Sequence, residues 1–246
     1  MTRHAFPIAE RSTIPVVDSD TVFPVNRVFC VGRNYAAHAR EMGADPMREP
    51  PFFFAKPADA ILTGADLQLP YPPKTNDLHH EVEMVVGLRS GGLDIPVEEA
   101  LGHVFGAALG IEFTRRDLQG EAKKAGRPWE MGKGFDGSAV IGPMTEFDPS
   151  TLPQSGPIQL DVNGAPRQSG DLSDMIWGVA ETISALSAFL TLRAGDIIYT
   201  GTPEGVGAVD VGDHLTATCP TLQTLNVGIV ASPPQICPET ETGRIT

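Results

Sequence analysis

Glu81 and Glu83, in the run Leu78-His79-His80-Glu81-Val82-Glu83-Met84-Val85-Val86, are the residues whose type and spacing carry the most chemistry. Side chains two apart on a strand share a face, so the two carboxylates project together while Val82, Met84 and Val86 line the other side. About 5 Å apart, they repel by roughly 3 kcal/mol at an effective dielectric near 20. In an apolar strand that repulsion calls for a shared proton, a cationic side chain or a metal ion. Hard oxygen ligands without a supporting cysteine suit magnesium, manganese or calcium better than zinc. Spacing alone leaves open the plainer reading that Glu-Val-Glu lies on the wet face of an edge strand. Glu112, in Ala108-Leu109-Gly110-Ile111-Glu112-Phe113, is another acid inside an apolar run and makes a shared ion more attractive. His80 faces away from the glutamates in a regular strand and His79 precedes it, so both are read as supporting residues rather than ligands.

His38 and Glu41 stand three apart between Gly32 and Gly43. On a helix that spacing puts carboxylate and imidazole on one face, where the acid orients the ring as a general base toward water. The alternative is a solvated pair on a surface helix, and the flanking glycines suit a lid that orders over a ligand. Lys133, in Gly132-Lys133-Gly134, reaches a buried anion or lies in a surface turn. Thr200-Gly201-Thr202-Pro203-Glu204-Gly205-Val206-Gly207 closes a strand with a Gly-rich turn whose amides and hydroxyls can bind a carboxylate. It lacks the lysine and spacing of a P-loop.

Short runs of β-formers must position these groups: 27–31, 52–55, 81–87, 158–162 and 197–200, most of them bounded by Gly or Pro. Asn163-Gly164 after one such run signals a hairpin, because both residues accept positive φ. Helices are expected over 34–42, 114–125 and 174–190, the last from apolar residues at three- and four-residue spacing. With 22 prolines and 26 glycines, loops are many. The expectation is an arm over 1–24, a β-rich α+β catalytic body over 25–230 and a loosely held tail over 231–246, not a βαβ repeat.

The balance of 18 basic and 31 acidic residues gives a net charge of −13, which disfavours nucleic acid and means that an anionic substrate needs local cations or a metal. Cys30, Cys219 and Cys237 form no disulfide framework or zinc motif. The first residues lack the apolar core of a signal peptide, and no apolar run approaches the roughly 20 residues of a membrane span. A cytoplasmic enzyme without membrane association is expected.

The segments together resemble the fumarylacetoacetate hydrolase superfamily. Those carrying the likeness are Val31-Gly32-Arg33-Asn34-Tyr35, Phe54-Ala55-Lys56-Pro57, His80-Glu81-Val82-Glu83, Arg116-Asp117-Leu118-Gln119, Lys133-Gly134-Phe135-Asp136 and residues 200–207, in that order. Within it, residues 23–60, Thr114-Arg115-Arg116-Asp117 and Gly126-Arg127-Pro128-Trp129-Glu130 look most like the bacterial fumarylpyruvate hydrolases of gentisate breakdown, with the acylpyruvases close behind. The resemblance implies a fold with a rolled, sandwich-like mixed β-sheet core, a few helices and a mobile lid helix, in a homodimer. It implies one divalent cation per subunit, magnesium first and manganese or calcium admitted, held by Glu81, Glu83 and Glu112. The third ligand is usually aspartate; glutamate carries one more methylene and displaces the carboxylate by roughly 1 Å or more.

The resemblance further assigns His38 and Glu41 to water activation on the lid and Lys133 to catalysis. Arg33, Tyr35, Arg116, Gln119 and Thr202 fall to the substrate, a small acidic keto or diketo acid. The implied reaction is hydrolysis of the carbon–carbon bond of a 2,4-diketo acid, fumarylpyruvate giving fumarate and pyruvate. The alternatives are oxaloacetate decarboxylation or keto–enol tautomerisation at the same site, and a metal-free relative that binds keto acids without turnover.

Overall fold

The computed structural model describes residues 10–36 and 49–232. Strands are numbered along the chain. A nine-stranded mixed sheet runs β4 (Phe52–Lys56), β3 (Arg27–Gly32), β13 (Asp196–Tyr199), β7 (Leu78–Leu88), β8 (Val104–Arg115), β9 (Ala139–Ile141), β5 (Ile61–Thr63). Two short strands join it: β10 (Thr145–Glu146) on β8 and β14 (Gly207–Val209) on β7. A five-stranded sheet runs β12 (Ala165–Asp171), β11 (Pro157–Val162), β15 (His214–Thr218), β16 (Leu225–Val230), β6 (Asp66–Pro70). β1 (Thr13–Pro15) and β2 (Val22–Pro24) make a hairpin. This is the rolled, sandwich-like mixed-sheet core with few helices that the sequence implies; the lid expected around 38–41 lies outside the described residues.

The strand period decides what each face of β7 and β8 does. Val82, Met84 and Val86, with Leu109, Ile111 and Phe113, point into the main core, where Leu160, Leu215 and Leu225 of the second sheet meet them. Fully burying each such side chain stabilises the fold by about 2 kcal/mol. On the opposite face, Val85 and Ala108 join Tyr199, Cys30 and the hairpin residues Ile14 and Phe23 in a smaller core. Further along β7 that same face carries Glu83 and Glu81. The edge-strand reading does not hold: β7 lies between β13 and β8, and Glu81 and Glu83 are 5% and 1% exposed.

Asn163 and Gly164 take φ of 53° and 74° and turn β11 into β12, as the Asn-Gly pair predicts. Two helices are shorter than their sequence patterns. The third expected helix is a 3-10 turn at Leu172–Asp174 followed by a helix at Val179–Ser187. Asn34 takes both backbone groups of Trp177, and Gly178 N–H donates to the Glu181 carboxylate, so the helix starts there. The second runs from Arg116 to Ala125, because Thr114 and Arg115 are still paired with His79 and Leu78 in the β7–β8 ladder. Of the first, Asn34 and Tyr35 precede the helix, with Tyr35 bridged to Met175, and 37–42 lie outside the described residues. So does the expected tail beyond Ser232.

Candidate metal centre and its cleft

Register builds the centre. Glu81 pairs with Glu112 across the β7–β8 ladder, and Glu83 pairs with Gly110. The pleat turns all three carboxylates to one face, with an oxygen from each within 4.8 Å of the others. All three are buried, and ionised carboxylates out of water need partners. Lys133 Nζ lies 2.6 Å from Glu112 Oε1 and 3.1 Å from Glu81 Oε2, and donates to Thr114 Oγ1 at 2.8 Å. Lys56 Nζ lies 3.3 Å from Glu112 Oε1 and donates to the carbonyls of Phe113 and Lys133. Arg116 Nη2 reaches Glu81 Oε1 at 2.6 Å while its Nη1 donates to Gln119 Oε1 at 2.8 Å.

Glu83 is different. It accepts the Gly201 N–H at 2.6 Å, and among the described residues no lysine or arginine forms an ion pair with it. Burial, then the charges of Glu112 and Glu81, push its carboxyl well above the ordinary carboxylate range. Burial pulls the Lys133 ammonium down, but Glu112 and Glu81 outweigh it and hold it charged. Burial wins at Lys56, whose pKa is lowered despite Glu112. Among the described residues, then, the cations of the cluster pair with Glu81 and Glu112, and Glu83 feels only the more distant charge of Lys133. Three converging carboxylates, with no sulfur or imidazole among them, fit a hard divalent cation.

The surrounding elements fix these side chains. Arg116 and Gln119 sit on the first turn of the helix Arg116–Ala125. Asp117 ties that turn down: burial pushes its carboxyl up, but hydrogen bonds from Thr75 Oγ1 and the Asn76 and Leu118 N–H groups hold it below the usual range. Lys133 ends the short helix Glu130–Lys133. Gly201 has φ of +101°, and a Cβ there would lie 2.6 Å from that of Asn34, so glycine alone presents this amide to Glu83. The Gly-rich turn thus binds a carboxylate of the chain itself. Thr202 Oγ1 accepts from Gln168 Nε2 at 2.8 Å, which leaves its hydroxyl proton available.

A narrow cleft opens on the centre. Among its lining residues are Glu81, Glu83, Glu112, Lys133, Arg116, Gln119, Thr202 and Arg33. Tyr35 is not among them: it is 2% exposed, and burial followed by Glu83 raises its phenol pKa. His38 and Glu41 lie outside the described residues. His80 Nδ1 is bonded to Gln168 Oε1 and His79 Nε2 to Asp77 Oδ1, each at 2.9 Å, so both histidines serve neighbours and not the cluster. Sequence reasoning gave no role to Lys56, Phe52, Phe54, Trp129 or Lys123, which line the cleft or support it. The alternation Phe52, Phe54, Lys56 was the available signal, since period two places them on one face.

Residues 27–230 match the family model described as fumarylacetoacetate (FAA) hydrolase C-terminal. A solved structure, fumarylpyruvate hydrolase from Pseudomonas aeruginosa in complex with Mn2+ and pyruvate, is 50% identical with a TM-score of 0.91, over 94% of this chain and 100% of that one. The fumarylpyruvate hydrolase of Ralstonia sp is 40% identical over 172 residues, 70% of this chain and 88% of its own length. The oxaloacetate tautomerase YcgM of Escherichia coli is 41% identical over 201 residues, 80% of this chain and 89% of its own length.

Proposed function

The chain belongs to the fumarylacetoacetate hydrolase family, and we propose that it hydrolyses the carbon–carbon bond of a 2,4-diketo acid, foremost fumarylpyruvate to fumarate and pyruvate. The observation that carries this reading is the buried Glu81–Glu83–Glu112 cluster in a cleft with Lys133 and Arg116. The likeness to the Pseudomonas aeruginosa enzyme supports the choice of substrate.

Glu81, Glu83 and Glu112 would hold one divalent cation per subunit, Mg2+ or Mn2+, and when bound it supplies Lewis-acid charge to the 2-oxo acid end of the substrate. Lys133 and Arg116 give an anionic substrate local positive charge in a protein of net charge −13. Gln119, its carbonyl oxygen held by Arg116, offers its amide N–H groups to substrate oxygens. Thr202 donates its hydroxyl proton to a substrate carboxylate, since Gln168 already uses it as an acceptor. On the family resemblance, His38 oriented by Glu41 takes a proton from water as that water attacks the carbonyl at C4. The C3–C4 bond breaks, its electron pair passes to C3 as the enolate of pyruvate, and the Lys133 ammonium stabilises the developing charge. Protonation at C3 completes pyruvate, and the acyl half leaves as fumarate.

The second reading is keto–enol tautomerisation of oxaloacetate, with decarboxylation beside it, and the 41% identity to the Escherichia coli tautomerase favours it. It needs proton transfer at C3 without water addition. We take the protein to act as a cytoplasmic homodimer; among the described residues no helix is long and apolar enough to cross a membrane. Purified protein with Mg2+ or Mn2+ should release fumarate and pyruvate in equal amounts from fumarylpyruvate, and His38→Ala should stop this while leaving metal affinity nearly intact. Oxaloacetate interconversion with fumarylpyruvate untouched moves the reading to the tautomerase. No metal binding and no turnover of any keto acid moves it to a binding relative without activity.

A further inference from the structure

The floor of the cleft is explained by the glutamate cluster and its cations, but its mouth carries two more positive side chains. Arg33 and Lys123 are both exposed and line the same cleft as the buried glutamates. Among the described residues neither forms an ion pair with a carboxylate. Each instead lies over an aromatic ring: Arg33 Cζ is 5.7 Å from the centroid of Phe52, and Lys123 Nζ is 4.9 Å from that of Trp129. The two rings meet edge to face, with centroids 5.7 Å apart and planes at 86°. Arg33, Phe52, Trp129 and Lys123 thus run as one continuous chain of contacts across the opening.

Aromatic faces position a cation without neutralising it, so both charges stay available to an anion. The backbone is shaped for this arrangement. Arg33 has φ of 57°, a left-handed conformation that residues with a side chain adopt at a cost. Gly32 beside it has no Cβ, and one would fall 2.0 Å from the Phe52 ring on which Arg33 rests. Burial, then Arg116, Arg33 and Lys133, pull the Lys123 pKa down, as befits a cation among cations. In a chain with 31 acidic and 18 basic residues, a cleft whose mouth holds two cations without acidic partners among the described residues is suited to receive negative charge.

We propose that Arg33 and Lys123, seated on Phe52 and Trp129, form a second anion subsite that takes the distal carboxylate of a dicarboxylic keto acid. The inference rests on the reading above only in placing the 2-oxo acid end at the glutamate cluster. The chain then selects substrates charged at both ends over acylpyruvates with a neutral tail.

Calorimetry with the Mn2+-loaded protein tests this with 2-oxoheptanedioate and 2-oxoheptanoate, which differ only in the distal carboxylate. The wild type should bind the dicarboxylate roughly tenfold more tightly, because each partly exposed ion pair contributes a few-fold. Arg33→Asn, which keeps a residue tolerant of positive φ, and Lys123→Met should each reduce that ratio. The double variant should bring it close to one, and Lys123→Arg should retain most of it. An equal response of the wild type to both ligands, or a preference that survives in the double variant, overturns the subsite. A preference that obeys these variants in a protein that leaves fumarylpyruvate intact keeps the subsite and sinks the proposed reaction; hydrolysis without the preference does the reverse.

Discussion

Glu81 and Glu112 face each other across the β7–β8 ladder, and Lys133 Nζ bridges them at 3.1 Å and 2.6 Å. One ammonium so placed screens two carboxylates that would otherwise repel, but it leaves Glu83 without an ion-pair partner among the described residues. It also accommodates the longer side chain at position 112, whose carboxylate reaches Lys56 as well as Lys133.

That anchoring gives Glu112→Gln a clear expected cost. The change leaves the fully buried Lys56 ammonium without its carboxylate, and breaking a buried pair costs about 3 kcal/mol. In a chain of this size that lowers Tm by about 10 °C, measured by calorimetry with EDTA present. A Tm within about 2 °C of the wild type would show that Lys56 does not depend on Glu112.

Lys133→Met should separate metal binding from turnover. The ammonium occupies oxygens of Glu81 and Glu112 that a cation would use, so its removal should leave Mn2+ affinity unchanged or higher. The rate of keto-acid turnover should fall by about 100-fold or more, as on loss of a preorganised charge against a developing anion. Weaker metal binding with normal kcat would reverse both roles.

The raised pKa of Glu83 sets a pH dependence. The folded metal-free chain holds a proton there that the unfolded chain releases, so folding loses stability as pH rises from the ordinary carboxylate range toward the raised value. A cation takes the place of that proton, and its affinity should grow over the same window. Melting curves between about pH 5 and pH 8, with EDTA and with Mn2+, should show a gap in Tm that widens as pH rises. A constant gap would mean that Glu83 carries no such proton.

Gly201→Ala tests the amide that holds Glu83. The new methyl meets Asn34 at a φ of +101°, so a loss of about 2 kcal/mol in stability is expected, together with weaker Mn2+ binding. Thermal and metal titrations unchanged from the wild type would place the control of Glu83 elsewhere.

Much of the centre was legible because it rests on local rules. Period two put Glu81 and Glu83 on one face, and the apolar run around Glu112 marked a second buried acid. The order of motifs then brought in Arg116, Gln119, Lys133 and Thr202, all of which line the cleft. What escaped depends on long-range register. Lys56 reaches Glu112 because β4 pairs with β3, which pairs with β13 beside β7, and nothing near position 56 states that order. The late start of the helix at Val179 is set by Asn34, 143 residues from Trp177. The Gly-rich turn was legible as a carboxylate binder, but only the fold identifies that carboxylate as Glu83.

The proposed cation site takes one carboxylate from each of Glu81, Glu83 and Glu112. Crystals grown with Mn2+ and pyruvate, measured at the manganese absorption edge, test it most directly. A single anomalous peak per chain is expected, about 2.2 Å from one oxygen of each of the three carboxylates, with pyruvate beside it. A peak elsewhere, or a cation bound by Glu81 and Glu83 while Glu112 stays on Lys56 and Lys133, would contradict it.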